Sequence, residues 1–439
     1  MGTHVRSFAA DRGGANLAMS QFKDGHQIHL LEGSAPYFDA LAQAMAAARQ
    51  EIRLETYIFD FTASGEDVAI SLVRAAERGV RVYLLVDGAG TAHLPAQWIE
   101  RFDTAGVQWH VYNRLGSLGL LLPSRWRRMH RKLCVVDSGT AHALGFCGGI
   151  NILDDFHDPN HGALPEPRFD FAVRVDGPLV SDIATATSSL WHKQRMFRQF
   201  RTSPLQATAQ TWASARLALS SPEPVSRDSQ PAQIAASPAA SNTHLARATL
   251  LLRDNLRNRN AIEKAYLNAI GHAQYEIIIA NAYFLPGGKL RKALLNAARR
   301  GVKVKLLLQG RYEYFMQYHA ARPVYESLLA AGIEIHEYAP SFLHAKVAVI
   351  DASSPRAWAT VGSSNLDPLS LLLAREANVM VLDPAFALKL RERLVRAMTE
   401  GGKLIDLEEF ASRPWHQRLL DRVAFGLMRL VLSISGRRY

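Results

Sequence analysis

Two short stretches of the chain carry residue types suited to phosphoryl chemistry, at identical spacing. The first is MHRKLCVVD, with His130, Lys132 and Asp137; the second is LHAKVAVID, with His344, Lys346 and Asp351. Both read HxKxxxxD, and each His is followed 21 residues later by an Asn, Asn151 in GGIN and Asn365 in GSSN. One such pattern means little, and a lone His in an apolar stretch is usually a core or surface residue. Two copies with matching downstream turns point to a duplicated half-site. A His beside a Lys is a poor metal site, because an ammonium has no lone pair and repels a cation. It is a good phosphate site. The Lys supplies fixed positive charge, and a neutral imidazole can attack phosphorus or pass a proton near neutral pH. The Gly- and Ser-rich turns add backbone, hydroxyl and amide donors for an oxyanion. Two half-sites together would surround one phosphate with paired His, Lys and Asn. That suits double displacement, in which one His attacks while the other protonates the leaving alcohol and then deprotonates the incoming one. This route needs no cofactor and no divalent metal.

The elements that must hold these groups can be read from periodicity. Both stretches are β-branched and aliphatic runs, the pattern of buried strands. Residues two apart share a strand face, so each His and its Lys point the same way. Asp137 and Asp351 lie an odd seven residues from their His. They fall on the other face or in the turn beyond, and read as structural anchors more than reacting groups. Upstream, EIRLETYIF reads as a strand, followed by a helix ending in AAERG with Gly79 as its cap, and the strand VRVYLLVD. The second half repeats this with YEIIIANAYF, GKLRKALLNAARRG and VKVKLLLQ. AAERGVRVYLLVDG (75–88) and AARRGVKVKLLLQG (297–310) agree at nine of fourteen positions. Duplication and helix–strand alternation imply an α/β architecture.

The paired HxKxxxxD motifs, with GGIN after the first and GSSNLDPLS after the second, resemble the phospholipase D superfamily. IIIANAYFLPG, ATVGSSNLDPLSL, EANVMVLD and RRMHRKLCVVD are similar to bacterial cardiolipin synthases of the short type, without N-terminal transmembrane helices. The resemblance implies two pseudo-symmetric α-β-α sandwich domains with the active site at their interface. The boundaries expected are a leader over 1–25, domains over 26–201 and 245–410, a Ser-, Ala- and Pro-rich flexible linker over 202–244, and a basic tail over 411–439. It also implies roles. His130 is the nucleophile and His344 the general acid and then base, with these two interchangeable on sequence alone. Lys132, Lys346, Asn151 and Asn365 bind phosphate oxygens. An acid beyond each Asn, Asp170 in RFDFAVRV and Glu376 in AREANVMV, holds a catalytic His in its tautomer. Asp170 matches less well, its connection being eight residues longer. The implied reaction moves a phosphatidyl group from one phosphatidylglycerol to another, giving cardiolipin and glycerol.

A chain of 439 residues with 48% hydrophobic and 21% charged residues has the material for two cores. Its net charge of +11 calls for an anionic partner. Cys134 and Cys147 are too few for a disulfide framework or a cysteine zinc site and read as reduced core residues of a cytoplasmic protein. The N-terminal stretch lacks a signal peptide's apolar core, and no apolar run is long enough to span a bilayer. A peripheral place on the cytoplasmic side of the cell inner membrane is therefore expected. Two segments fit such contact. RLGSLGLLLPSRWRR has an apolar tip (Leu120, Leu121) beside Trp126, Arg127 and Arg128. The tail WHQRLLDRVAFGLMRLVLSISGRRY is a basic amphipathic helix whose Arg429 interrupts any spanning run. A buried loop and a helix packed on the second domain are the bland alternatives. A hydrolase or nuclease of the same superfamily, and a non-catalytic membrane scaffold, are the competing functions. No aromatic-interleaved basic stripe of the kind that stacks on bases is present, so nucleic acid is not expected as partner.

Overall fold

The strands that follow the two motif histidines, Lys132–Val136 and Lys346–Ile350, are buried at every position, lysines included. Strands of that kind lie mid-sheet with both faces covered. The computed structural model describes residues 22–114, 127–158, 161–202, 245–254, 258–312, 315–367, 370 and 374–434. Most of the expected leader, the linker, and the loop tip with Leu120, Leu121 and Trp126 lie outside the described residues.

The first half runs β1 (Lys23–Glu32), α1 (Ser34–Ala47), β2 (Glu51–Thr56), α2 (Ala63–Glu77), β3 (Arg81–Asp87), α3 (Ala96–Ala105), β4 (Gln108–Tyr112), β5 (Arg128–Met129), β6 (Lys132–Val136) and β7 (Leu144–Gly148). A small hairpin of β8 (His157–Asp158) and β9 (Gly162–Ala163) precedes β10 (Phe171–Asp176) and α4 (Leu179–Thr202). The second half runs β11 (Ala246–Arg253), α5 (Ala261–His272), β12 (Glu276–Asn281), α6 (Gly288–Arg299), β13 (Lys303–Gln309), α7 (Phe315–Leu329) and β14 (Glu334–Tyr338). It continues with β15 (Lys346–Ile350), β16 (Trp358–Gly362), β17 (Ala374–Leu382), α8 (Pro384–Gly401), β18 (Gly402–Leu404), α9 (Leu407–Ala411) and α10 (Trp415–Ile434).

The architecture is mixed α/β. From one edge the strands order β4-β3-β2-β6-β7-β10-β1 and then β11-β17-β16-β15-β12-β13-β14-β18. The second half therefore repeats the strand order of the first in reverse, with β18 added at the far edge. The halves join edge to edge where β1 pairs antiparallel with β11. This pairing satisfies backbone groups that two separate sheets would leave open. A shared core lies under the junction: Val173 and Val175 of β10, Ala246 and Ala248 of β11, and Val379 and Val381 of β17. Each such buried Val contributes about 1.5–3 kcal/mol relative to an exposed one, so the junction is held firmly.

Local devices recur in both halves. Gly79 (φ 87°) follows α2, and its N–H donates to Ala76 O while Val80 N donates to Ala75 O. Gly301 (φ 86°) does the same after α6, through Ala298 O and Ala297 O. Both are Schellman turns, which need a residue tolerant of positive φ. They turn the chain straight into β3 and β13. These strands pair parallel with β2 and β12, which in turn pair antiparallel with the motif strands β6 and β15.

Candidate active site

His130 and His344 sit just ahead of β6 and β15, not within them. Each is held there by the other half. His130 N donates to Arg375 O at 3.0 Å, and β5 pairs parallel with the start of β17. His344 N donates to Phe169 O at 2.9 Å, beside a parallel bridge between Phe169 and Leu343.

The side chains cross over in the same way. Glu376, fully buried, lies 3.2 Å from Nδ1 of His130, which also faces Ser363 O at 3.2 Å. Ser363 Oγ donates to the same carboxylate at 2.5 Å. Asp170 lies 2.6 Å from Nδ1 of His344 and accepts the Phe171 N–H at 2.8 Å through its other oxygen. A carboxylate at Nδ1 fixes the proton there and leaves Nε2 with the lone pair. Each imidazole thus takes its orienting acid from the opposite half.

Burial and the neighbouring lysines act together on these groups. Burial, then Lys132, hold His130 below its usual range against the pull of Glu376. Burial, then Lys346 and Lys132, push His344 well below its own. Both rings are therefore neutral at pH 7, as a nucleophile must be. Burial, opposed by Lys346, raises Asp170 to about 7. Burial, with Lys346 nearby, lowers Lys132 to about 7. Charges of each half thus act on groups of the other, in keeping with the crossed pairing of Glu376 with His130 and of Asp170 with His344. Lys132 Nζ donates to the carbonyl of His130 at 2.7 Å, and Lys346 Nζ to that of His344. The Tyr57 ring lies 4.9 Å from that of His130 and 5.5 Å from Lys132 Nζ.

Asn151 and Asn365 follow β7 and β16 in the turns. Asn151 Oδ1 accepts the Ile58 N–H at 3.1 Å, and its NH2 has no acceptor among the described residues. Asn365 Nδ2 reaches Ser370 Oγ at 3.4 Å, while its buried Oδ1 has no partner among the described residues. The Ser370 hydroxyl can serve either atom of that amide, so a half turn of Asn365 would present its NH2 to a phosphate. Gly149 is required where it stands: a Cβ there would lie 2.3 Å from Asp170 Oδ1.

Asp137 and Asp351 are not beside the imidazoles. Each ends its motif strand at φ 50°. Asp137 accepts the N–H groups of Arg49, Gln50 and Glu51 at 2.8–2.9 Å, and Asp351 those of Gln274, Tyr275 and Glu276 at 2.8–3.0 Å. They tie the motif strands to the starts of β2 and β12. Arg128, expected at a membrane contact, turns inward instead. It pairs with the fully buried Asp87 at 3.1 Å and donates to Asn113 O at 2.7 Å, because a buried carboxylate without a cation is costly. Arg127 and Arg429 are exposed.

Two residues escape sequence reasoning. Asp87 closes β3 and accepts the Met129 N–H at 2.8 Å; Gln309 closes β13 and accepts the Leu343 N–H at 3.2 Å. Each holds the peptide just before a motif His. The available signal was that both lie two residues beyond the repeated AAxRGVxVxLL segment, but unlike side chains hid the shared task.

Comparison with known proteins agrees with this geometry. Residues 41–163 and 266–398 match the family model described as "Cardiolipin synthase, PLD-like domain". Cardiolipin synthase B of Salmonella typhi is 36% identical over 419 residues, covering 94% of this chain and 91% of that protein. Cardiolipin synthase B of Escherichia coli K12 is 34% identical over 415 residues, with the same coverage. The solved phosphatidylserine synthase of Haemophilus influenzae shares the fold at a TM-score of 0.62 and 14% identity, covering 95% of this chain and 99% of that one. The family model that matches a segment in each half, with relatives 34–36% identical over 94% of the chain, places this protein in the cardiolipin synthase family.

Proposed function

We propose that this protein is a phosphatidyltransferase that makes cardiolipin and glycerol from two phosphatidylglycerols. The observation that carries the reading is the pair of motif imidazoles, each with Nδ1 against a buried carboxylate of the other half and each followed by a buried lysine. The lone pair of one Nε2 forms a P–N bond as the P–O bond to the donor's glycerol breaks, and the other imidazole, which takes up a proton from solvent when the anionic phosphodiester binds beside it, gives that glycerol this proton. The second imidazole then takes the proton from the acceptor's hydroxyl, whose oxygen displaces the histidine. One P–O bond is broken and one formed, so no nucleotide is consumed. Lys132, Lys346, Asn151 and Asn365 bind the phosphoryl oxygens, where charge builds in the transition state. Residues 26–201 and 245–410 act as two domains, each supplying one His and the acid for the other. The protein works peripherally, on the cytoplasmic side of the cell inner membrane. Among the described residues no helix is long and apolar enough to cross a membrane.

His130 is assigned as nucleophile and His344 as general acid and then base. The reverse is favoured by one observation: His344 has the closer carboxylate and is held further below its usual range. The test is incubation with phosphatidylglycerol vesicles, read by lipid mass spectrometry, with a parallel run on headgroup-phosphate-labelled lipid quenched in alkaline denaturant, which preserves the P–N bond, and mapping of the labelled peptide. Cardiolipin with free glycerol, lost in both His130→Ala and His344→Ala, is expected, with the label on the His130 peptide. Label on the His344 peptide reverses the roles. Phosphatidic acid alone makes the protein a hydrolase, and no lipid turnover sinks the proposal.

A further inference from the structure

α10 presents three different faces. Asp421, Ala424 and Met428 are buried, and this ridge packs on α7. The fastening is specific. Asp421 lies 2.7 Å from His319 Nδ1 of α7 and accepts from Arg413 at 3.0 Å through its other oxygen. At the 100° step of a helix, the next sector holds Trp415, Leu419, Val423 and Leu427, a row at intervals of four. Their exposures run from 49 to 71%, and Leu420 widens the stripe. Between that stripe and the packed ridge runs a third row, Arg418, Arg422 and Arg429, all exposed and without an ion-pair partner among the described residues.

An amphipathic helix resting on a protein body normally turns its apolar side to the core and its polar side to water. Here the core side is a narrow ridge, and the wide apolar side is left outward. A contiguous apolar stripe of this kind marks an interaction surface. The arginine row decides among partners. A second copy of the chain, itself +11, is repelled overall by such a row. A bilayer of anionic lipid offers acyl chains for the leucines, headgroup phosphates for the arginines, and the interface depth where Trp is favoured.

We infer that α10 is the surface on which this protein rests on an anionic bilayer, its Trp415–Leu427 face inserted and its arginine row at the headgroups, while its opposite ridge stays fastened to α7. The choice of a bilayer as occupant rests on the proposed lipid chemistry. The helix docks already folded and already attached, so it needs no release from the body and pays little ordering entropy.

The test uses full-length protein, co-flotation with vesicles of phosphatidylglycerol in phosphatidylcholine or of phosphatidylcholine alone, and turnover of short-chain phosphatidylglycerol below its critical micelle concentration. Wild type should float with the anionic vesicles and release with salt. Val423→Ser/Leu427→Ser should weaken flotation by about tenfold or more, and Arg418→Gln/Arg422→Gln by a similar factor at low salt. Turnover of the monomeric substrate should be unchanged in both, since none of these residues touches the pocket. Vesicle binding unaffected by the Ser pair overturns the inference, as does a Ser pair that instead converts a dimer to a monomer in light scattering. Vesicle binding that depends on α10 in a protein with no turnover of monomeric lipid would sink the proposed reaction and leave this surface standing.

Discussion

His130 and His344 are braced at Nδ1 from opposite halves, but the parts differ. Glu376 lies 3.2 Å from its imidazole with the Ser363 hydroxyl beside it; Asp170 comes within 2.6 Å of its own, against the bare backbone of Gly149. Ser363 and Gly149 occupy matching positions, 19 residues after their His. The longer acid leaves room for a side chain that can bond to it, and the shorter acid needs that room for itself. Acid and turn residue thus form a matched pair in each half. The connection leading to Asp170 is the longer one, and Arg168 staples it by donating to Asp154 O, His157 O and Asp158 at 2.7–2.8 Å. A closer brace with tighter surroundings should tolerate less change.

The largest effects should come from the acids. Asp170→Asn and Glu376→Gln remove the charge that fixes each tautomer and should lower kcat by about 10²–10⁴-fold. The length swaps separate the halves. Asp170→Glu, driven against Gly149, should lose more than Glu376→Asp. Likewise Gly149→Ala should cost about tenfold or more, while Ser363→Ala, which loses the bond to Glu376 and the acceptor of the Ala377 N–H but forces no clash, should cost only a few-fold. Steady-state kcat on phosphatidylglycerol decides it, and equal losses in the two halves would remove the matched-pair reading.

The pH dependence of kcat/KM reports the free enzyme, and here too the halves should part. Burial and Lys346 bring Lys132 down to about 7, so above that pH the first half loses its ammonium and kcat/KM should fall by up to about tenfold per pH unit. Burial lifts Asp170 to about 7, so below that pH it takes up a proton and its anion no longer holds the His344 N–H. His344 itself stays neutral there, being held well below its usual range. The profile should be a narrow bell near 7. Lys132→Arg should move the alkaline limb upward, because a guanidinium does not titrate in this range. Asp170→Asn should flatten the acid limb, whereas Glu376→Gln should leave it in place. A profile flat from pH 5 to 9 would contradict both assignments.

How much of this could be read from the chain alone follows from which interactions are local. The motifs, the repeated AAxRGVxVxLL segment and the odd seven-residue offset of Asp137 and Asp351 are local patterns, and the α/β layering followed from them. Face parity served the strands but not the histidines, which stop short of β6 and β15 because their N–H groups bond to Arg375 and Phe169 of the other half. The crossing of Glu376 to His130 and of Asp170 to His344 joins residues 246 and 174 apart, and nothing local encodes it. β1 was hidden for another reason. KDGHQIHLLE is polar at most of its early positions and half exposed, so it lacks the apolar run that revealed β2 and β3. The inward turn of Arg128 was equally invisible, since a basic run beside an apolar tip looks the same whether or not one arginine has a buried acid.

The smallest expected effect is on stability, at the two strand-end clamps. Asp87 carries more than Gln309: it bonds the Met129 and Ala89 N–H groups at 2.8 Å and neutralises Arg128 at 3.1 Å. Gln309 accepts only longer bonds, from Leu343 N at 3.2 Å and Arg311 N at 3.4 Å. Asp87→Leu leaves a guanidinium without its anion and should cost about 3–5 kcal/mol. Gln309→Leu leaves backbone donors unmet and should cost about 1–3 kcal/mol. Neither should abolish turnover in protein that remains folded, because His130 and His344 keep their bonds to Arg375 O and Phe169 O. Denaturant melts beside kcat measure both. A Gln309→Leu loss as large as that of Asp87→Leu would mean that the second clamp bears a load its bond lengths do not explain. A collapse of kcat without loss of stability would mean that the peptide ahead of the histidine, and not its opposite-half brace, sets the position of the ring.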